Sequence, residues 1–272
     1  MACKKMREKL MKAAAMTVET KKSEPERVVV QANRRSDGLI FGIDSRTKSS
    51  TLLQNNLTEF EWAVRNKIYP NFWGRNLNGE NALTAEEVDF LHDKGCKIAA
   101  VYIDNGPCQT EEQGRAVASR IDAAASKLHI PAGTAIFLEI GENETATRDY
   151  MKGFAELISE AGFVAGFKAN TDAAFSFDLE FSRGMQTDKA IFEKCLVWAV
   201  APSLKEYDRV TTTHLIHPDN WMPFAPSGIR RDDIAIWQYG KNCHPIDDDA
   251  GKETTFNVNL VKNDMMIIER MF

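Results

Sequence analysis

The chain has 272 residues, 43% hydrophobic and 27% charged, with a mean hydropathy of −0.35, which fits one globular domain with a large core. Residues 1–35 carry ten Lys/Arg against four Glu, a net +6 that leaves −11 on the rest of a chain whose total is −5. An acidic body excludes nucleic acid as the main partner, because phosphate binding needs a basic face, and no apolar run approaches the roughly 20 residues that cross a bilayer.

The opening "MACKKMREKLMKAAAM" is basic, and its apolar part is short and broken by Lys12. It reads as an arm and not a signal peptide, so the expected location is cytoplasmic or, by a leaderless route, the cell wall. "KKSEPERVVVQANRRSDG" (21–38) reads as a linker. The expected organisation is a basic arm over 1–36 and one domain over 37–272. From "LIFGID" (39–44) onward, apolar strand-like runs alternate with helical periodicity. Strands are expected near 39, 71, 97, 134, 164, 196, 234 and 256. Helices are expected over 57–68, 83–95, 110–128 and 146–162. In the second of these, Thr84 and Glu87 have capping-box spacing, and Gly95 and Gly162 stand as stops. The stretch 204–233 reads mostly as loop. Eight βα units whose strands are continuously apolar predict an α/β fold, a single (β/α)8 TIM-like barrel of parallel strands.

The five cysteines, Cys3, Cys96, Cys108, Cys195 and Cys243, form no CxxC pair, and His214 and His217 lack further ligands at metal spacing. No Gly-rich phosphate loop is present. No metal and no cofactor is therefore expected.

Barrel chemistry sits where strands end. Those ends supply Asp44; Arg75, Asn76 and Asn78; Tyr102 and Asp104; Glu139 and Glu142; Asn170 and Asp172; Trp198; Trp237, Gln238 and Tyr239; Asn257 and Asn259. Carboxylates, amides and aromatic faces are the residue types of glycan sites, and a carboxyl pair runs glycoside acid/base chemistry. Each also has a plainer reading. A strand-end Asp caps loops, Trp198 and Trp237 suit a core, and Glu142 and Glu144 suit a solvated loop. Glu139 interrupts "AIFLEI", where an ionised side chain is costly unless paired or functional.

"FGID", "GRNLNG" followed by "LTAEEVDFLHDKG", "HIPAGTAIFLEI", "GFKANTD", "WQYG" and "FNVNL", in that order, resemble a glycoside-hydrolase-like domain of bacterial cell-wall-associated proteins. That domain is a TIM barrel related to the family 25 lysozyme-like muramidases, and the resemblance covers about 39–262. It implies Asp44 as the first-strand active-site acid, Arg75 and Asn78 on the second-strand rim, and Trp237, Gln238 and Tyr239 lining the pocket. Muramidases end their fourth strand in Asp-x-Glu, with the Glu as general acid. Here the span is Glu139-Ile140-Gly141, the late Asp is Asn257 and the fifth-strand Tyr is Lys168.

The resulting expectation is a glycoside hydrolase acting on peptidoglycan or a related cell-wall polysaccharide. Asp44 and Glu139 form the catalytic pair with Glu142 as substitute. Arg75, Asn78, Tyr102, Asp104, Asn170, Asp172, Trp198, Trp237, Gln238, Tyr239 and Asn257 contact substrate. Gly141 at the acid position supports the alternative, a catalytically inactive glycan-binding barrel. A third reading is a cytoplasmic barrel reused for another ligand.

Overall fold

The computed structural model describes residues 38–204, 208–210, 221–245, 249–251, 254–262 and 266–272. The arm with Cys3, most of the linker, and His214 and His217 lie outside the described residues.

Each expected strand is present: β1 Leu39–Asp44, β2 Phe72–Asn76, β3 Lys97–Ile103, β4 Ala135–Glu139, β5 Val164–Asn170, β6 Leu196–Val200, β8 Ile236–Pro245 and β9 Phe256–Lys262, with a two-residue β7 at Arg209–Val210. The order β6-β5-β4-β3-β2-β1-β9-β8, closed by pairing of β6 with β8, makes an eight-stranded barrel. One strand departs from the parallel expectation. β9 runs antiparallel to both β8 and β1. A parallel return needs a crossover of about a dozen residues or more, and the gap from Pro245 to Phe256 is shorter than that.

The four expected helices form as α1 Glu59–Arg65, α2 Ala85–Asp93, α3 Glu111–Lys127 and α4 Arg148–Glu160. Thr58 and Thr110 close capping boxes on α1 and α3. Thr84 caps α2 through the Glu87 amide, but the Glu87 carboxylate turns to Arg75 and Ser49 instead of closing the box. Two helices were not expected, α5 Ser176–Thr187 and α6 Lys189–Phe192. Phe175 at the α5 N-cap makes no side-chain cap, so the usual start signal is missing.

Strand alternation sorts the side chains. Phe72, Val101, Phe137, Trp198, Ile236 and Val261 fill the barrel interior, while Trp73, Tyr102, Leu138, Phe167, Trp237 and Tyr239 pack outward under the helices. The C-terminal turn Met266–Arg270 closes the lower end, with Ile267 and Met271 in the inner cluster and Ile98 and Phe272 exchanging backbone hydrogen bonds. α3 and α4 approach so closely that a Cβ on Gly114 would lie 2.0 Å from the Tyr150 carbonyl oxygen, and one on Gly153 would lie 2.1 Å from that of Glu111. The cysteines described, Cys96, Cys108, Cys195 and Cys243, are free thiols. Burial pushes the Cys195 and Cys243 thiols up to about 12. Among the described residues no helix is long and apolar enough to cross a membrane.

Candidate active site

The mouth of the barrel is built around Asp44. It ends β1 in register with Gly74 of β2 and Asn257 of β9. A side chain at position 74 would meet the Asp44 Cβ at 2.5 Å and the Trp198 ring at 2.8 Å, so glycine there lets both enter the interior. The Asp44 carboxylate receives three donors. Lys168 Nζ lies 2.8 Å from Oδ1, Asn257 Nδ2 donates to Oδ1 over 2.9 Å, and Asn259 Nδ2 donates to Oδ2 over 2.8 Å. The two amides are themselves oriented. Trp198 Nε1 donates to Asn259 Oδ1, and the Asn242 amide donates to Asn257 Oδ1, each over 2.9 Å.

Lys168 also reaches Glu139, its register partner on β4, with Nζ 3.2 Å from Oε2, and sits 4.8 Å above the centre of the Trp198 ring. The two ion-pair distances cap the Asp44–Glu139 oxygen separation at about 6 Å, comparable with the roughly 5–9.5 Å of glycosidase carboxyl pairs. The structure thus brings the two expected acids together, but across an ammonium. Burial on its own pulls the Lys168 pKa down. The Asp44 and Glu139 carboxylates beside it outweigh burial, and the net direction is upward. Lys168 and Asp44 are buried, whereas the Glu139 side chain keeps 26% of its surface. Glu139 is therefore the more solvent-open of the two acids.

The space freed by Gly141 is not filled by Glu142. Glu142 is exposed on the rim, where its Oε1 faces Asn170 and Lys241 at 3.5 Å. Glu144 folds back instead. Its Oε2 accepts from the Gly141 amide over 2.9 Å, and a Cβ at position 141 would meet its Cδ at 3.0 Å.

Several expected contact residues do not face the barrel mouth. Arg75 alternates outward from Gly74 and is wholly buried, holding Glu87 at 2.9 Å, the Ser45 carbonyl at 2.7 Å and the Asn81 carbonyl at 2.6 Å. It ties the two loops flanking the mouth and is turned away from the barrel interior. Asn78 spends both amide atoms on the Ile103 backbone. Asp104 is taken by Tyr150 Oη and Arg120 Nη2, each at 2.8 Å, on the helix side. Tyr102, Trp237 and Tyr239 point outward by strand parity and lie in the outer core. Trp237 Nε1 donates to the Ala201 carbonyl. Trp198 lies beneath the site as its floor, and Gln238 points into the interior, with its Oε1 buried and without a hydrogen-bond partner among the described residues. Asn170 ends β5 and Asp172 follows it, both on the rim.

Beneath the same mouth, Glu59 is completely buried beside Ser45, Arg75 and Glu87. Burial raises its carboxyl pKa to about 8 and Glu87 pushes the same way, against the opposing pull of Ser45 and Arg75. Sequence reasoning named Asn259 as a strand end without giving it a role, read Lys168 only as a departure, and missed Glu59. The signal for Lys168 was the one used for Glu139, a charge breaking an apolar strand run. Among the described residues no cluster of three or more His, Cys, Asp or Glu is placed to hold a metal.

The family model "Rv2525c-like, glycoside hydrolase-like domain" matches residues 67–257. A search of curated protein sequences gives no relative of this chain. Among solved structures, an uncharacterised protein from B. stearothermophilus superposes with a TM-score of 0.68 at 20% identity, over 86% of this chain and 100% of that one. A muramidase from Acremonium alcalophilum gives 0.48 at 14% identity, over 84% and 96%. The autolysin LytC from Streptococcus pneumoniae, bound to a synthetic peptidoglycan ligand, gives 0.48 at 10% identity, over 82% of this chain and 46% of LytC.

Proposed function

The chain belongs to the Rv2525c-like family of glycoside hydrolase-like domains, and on that footing we propose that it is a polysaccharide-recognising barrel of the cell wall whose carboxylate pair is held out of catalysis by Lys168. The observation that carries this reading is the ammonium in contact with both Asp44 and Glu139. Glycoside cleavage needs one carboxyl protonated as acid while its partner stays ionised. Two carboxylates close together without a counter-ion share a proton, and so provide that split. Lys168 supplies the positive charge instead. It also occupies the gap between the acids, where a glycosidic oxygen would have to sit. What remains is a recess with one accessible acid, Glu139, and a rim of Glu142, Asn170 and Lys241, groups that hydrogen-bond sugar hydroxyls.

The experiment is incubation of the purified protein with labelled peptidoglycan, followed by sedimentation. Wild type is expected in the pellet, with soluble label at the level of the blank. Release of label that disappears in both Asp44→Asn and Glu139→Gln would overturn the reading, and a protein left wholly in the supernatant would remove the cell wall as its target.

A second reading, hydrolysis with Glu144 as the acid, is favoured by one observation: its carboxyl stands where the side chain missing at Gly141 would begin. In that case soluble label appears, survives Asp44→Asn and is lost in Glu144→Gln.

A further inference from the structure

Beyond β5, Thr171, Asp172 and Ala173 line one side of an open depression of about 450 Å3, and Phe224, Ala225 and Arg231 line the other. At about 3.3 Å per residue, Thr171 lies roughly 10 Å past Lys168 along the chain, so the depression adjoins the mouth without being part of it. The segment that forms its far wall is firmly tied. Thr171 Oγ1 donates to the Phe224 carbonyl over 2.8 Å, and Trp221 Nε1 donates to the Arg231 carbonyl over 3.1 Å. The Ser227 amide donates to Asp178 of α5 over 2.6 Å, and Ser182 Oγ of α5 donates to the Ser227 carbonyl over 2.7 Å. Despite these ties, Phe224 leaves 51% of its surface in solvent. A large aromatic ring displayed on an anchored segment is a preformed ligand platform, since little order has to be acquired on binding.

The charge pattern is equally specific. Asp232 is paired with Lys262 and Asp233 with Arg230. Arg231, between Arg230 and Asp232 in sequence, has no carboxylate within ion-pair distance among the described residues. Its guanidinium is fixed by one hydrogen bond, from Nε to the Pro223 carbonyl over 3.1 Å. Among the described residues its charge stands unmatched, on the same depression as the exposed Phe224 ring. Asp172, across the depression, already accepts from the Ala174 amide over 2.9 Å and has its other oxygen left to accept from a hydroxyl.

We propose that this depression is a subsite for a carboxylate-bearing sugar residue, with the ring face against Phe224, the carboxylate forked by the Arg231 guanidinium and a hydroxyl on Asp172. Arginine's planar donor pair matches a carboxylate in two parallel hydrogen bonds, and a neutral sugar forgoes both. The inference deepens the polysaccharide reading and rests on it for the natural ligand, but it can be tested without it.

The test uses two small probes that share a ring and differ by one carboxylate-bearing ether, N-acetylmuramic acid and N-acetylglucosamine. Each is titrated into the isotope-labelled full chain while the Arg231 Nε–H and Phe224 ring signals are followed by NMR. The acidic sugar is expected to shift both and to bind at least tenfold more tightly. Arg231→Gln should bring its affinity down to that of the neutral sugar, Phe224→Ser should weaken both sugars, and Arg230→Gln should change nothing. Equal affinities, no shift with either sugar, or a preference that survives Arg231→Gln would overturn the subsite. Sedimentation with walls separates the two proposals. Walls that retain wild type and Arg231→Gln alike, with no acidic-sugar preference, leave the polysaccharide reading standing and the subsite refuted. A clear preference in a protein that walls do not retain does the reverse.

Discussion

Replacing Lys168 by Met keeps the length and most of the volume of the side chain while removing the charge that two acids share. At an effective dielectric constant of 20, a unit pair at 2.8 Å attracts by about 6 kcal/mol and one at 3.2 Å by about 5 kcal/mol. Most of that offsets the several kcal/mol per ion lost on burial. In the variant the attraction is gone, and the acids, at most about 6 Å apart, repel by at least about 3 kcal/mol on the same scale. The expected loss of unfolding free energy is therefore about 3–5 kcal/mol at pH 8. One of the freed acids then gains by taking up a proton that it gives back on unfolding. Its pKa in the folded variant lies above the unfolded value, so the stability held at low pH is lost as pH rises, and the deficit is smaller at pH 5 than at pH 8. Adding Asp44→Asn removes one of the two like charges and should recover about 2 kcal/mol. Urea unfolding of the wild type, the single variant and the double variant at both pH values measures all of this. A Lys168→Met deficit below about 1 kcal/mol, one that does not change with pH, or one that Asp44→Asn deepens would refute the assignment of Lys168 as the shared counter-ion.

Glu59→Gln should be more stable than wild type above about pH 5. The folded carboxyl pKa near 8 exceeds the unfolded value, so wild-type stability is fully present below the unfolded pKa and declines as pH climbs to 8, by an amount on the order of 4–5 kcal/mol that the amide variant does not lose; thermal melts from pH 5 to 8 check it. Gly153→Ala should cost about 2–4 kcal/mol by denaturant titration, although alanine is the better helix former by about 1 kcal/mol, because its methyl meets a backbone carbonyl that cannot yield. Arg75→Met should cost about 3–5 kcal/mol by leaving Glu87 buried without its counter-ion, and Arg75→Met with Glu87→Gln should restore part of the loss in a double-mutant cycle.

The strands were legible because their burial on both faces writes them as unbroken apolar runs, and the first four helices because each has a threonine start. The direction of β9 was not, since burial patterns are the same for either direction; only the short connection from Pro245 spoke for it. Asp44 and Glu139 stood out as charges placed against apolar strands. Lys168 in "GFKAN" carries the same mark, but its pairing with Glu139 depends on β4–β5 register, which one sequence does not print. Arg75, Tyr102, Trp237 and Tyr239 were misplaced by ignoring parity: Gly74, Val101, Ile236 and Gln238 take the inward positions, so their neighbours turn to the helices. Glu142 was the expected substitute acid, whereas the turn over residues 141–144 brings Glu144 beside Gly141 and leaves Glu142 on the rim.

The most direct measurement is 15N NMR of the lysine side-chain nitrogens across a pH titration. The Lys168 Nζ is expected to remain an ammonium beyond pH 10.4, roughly where exposed lysines release theirs, to exchange its protons slowly, and to shift on both Asp44→Asn and Glu139→Gln. A Lys168 signal that titrates with or before the surface lysines, or that ignores either substitution, would contradict the bridge between the two acids.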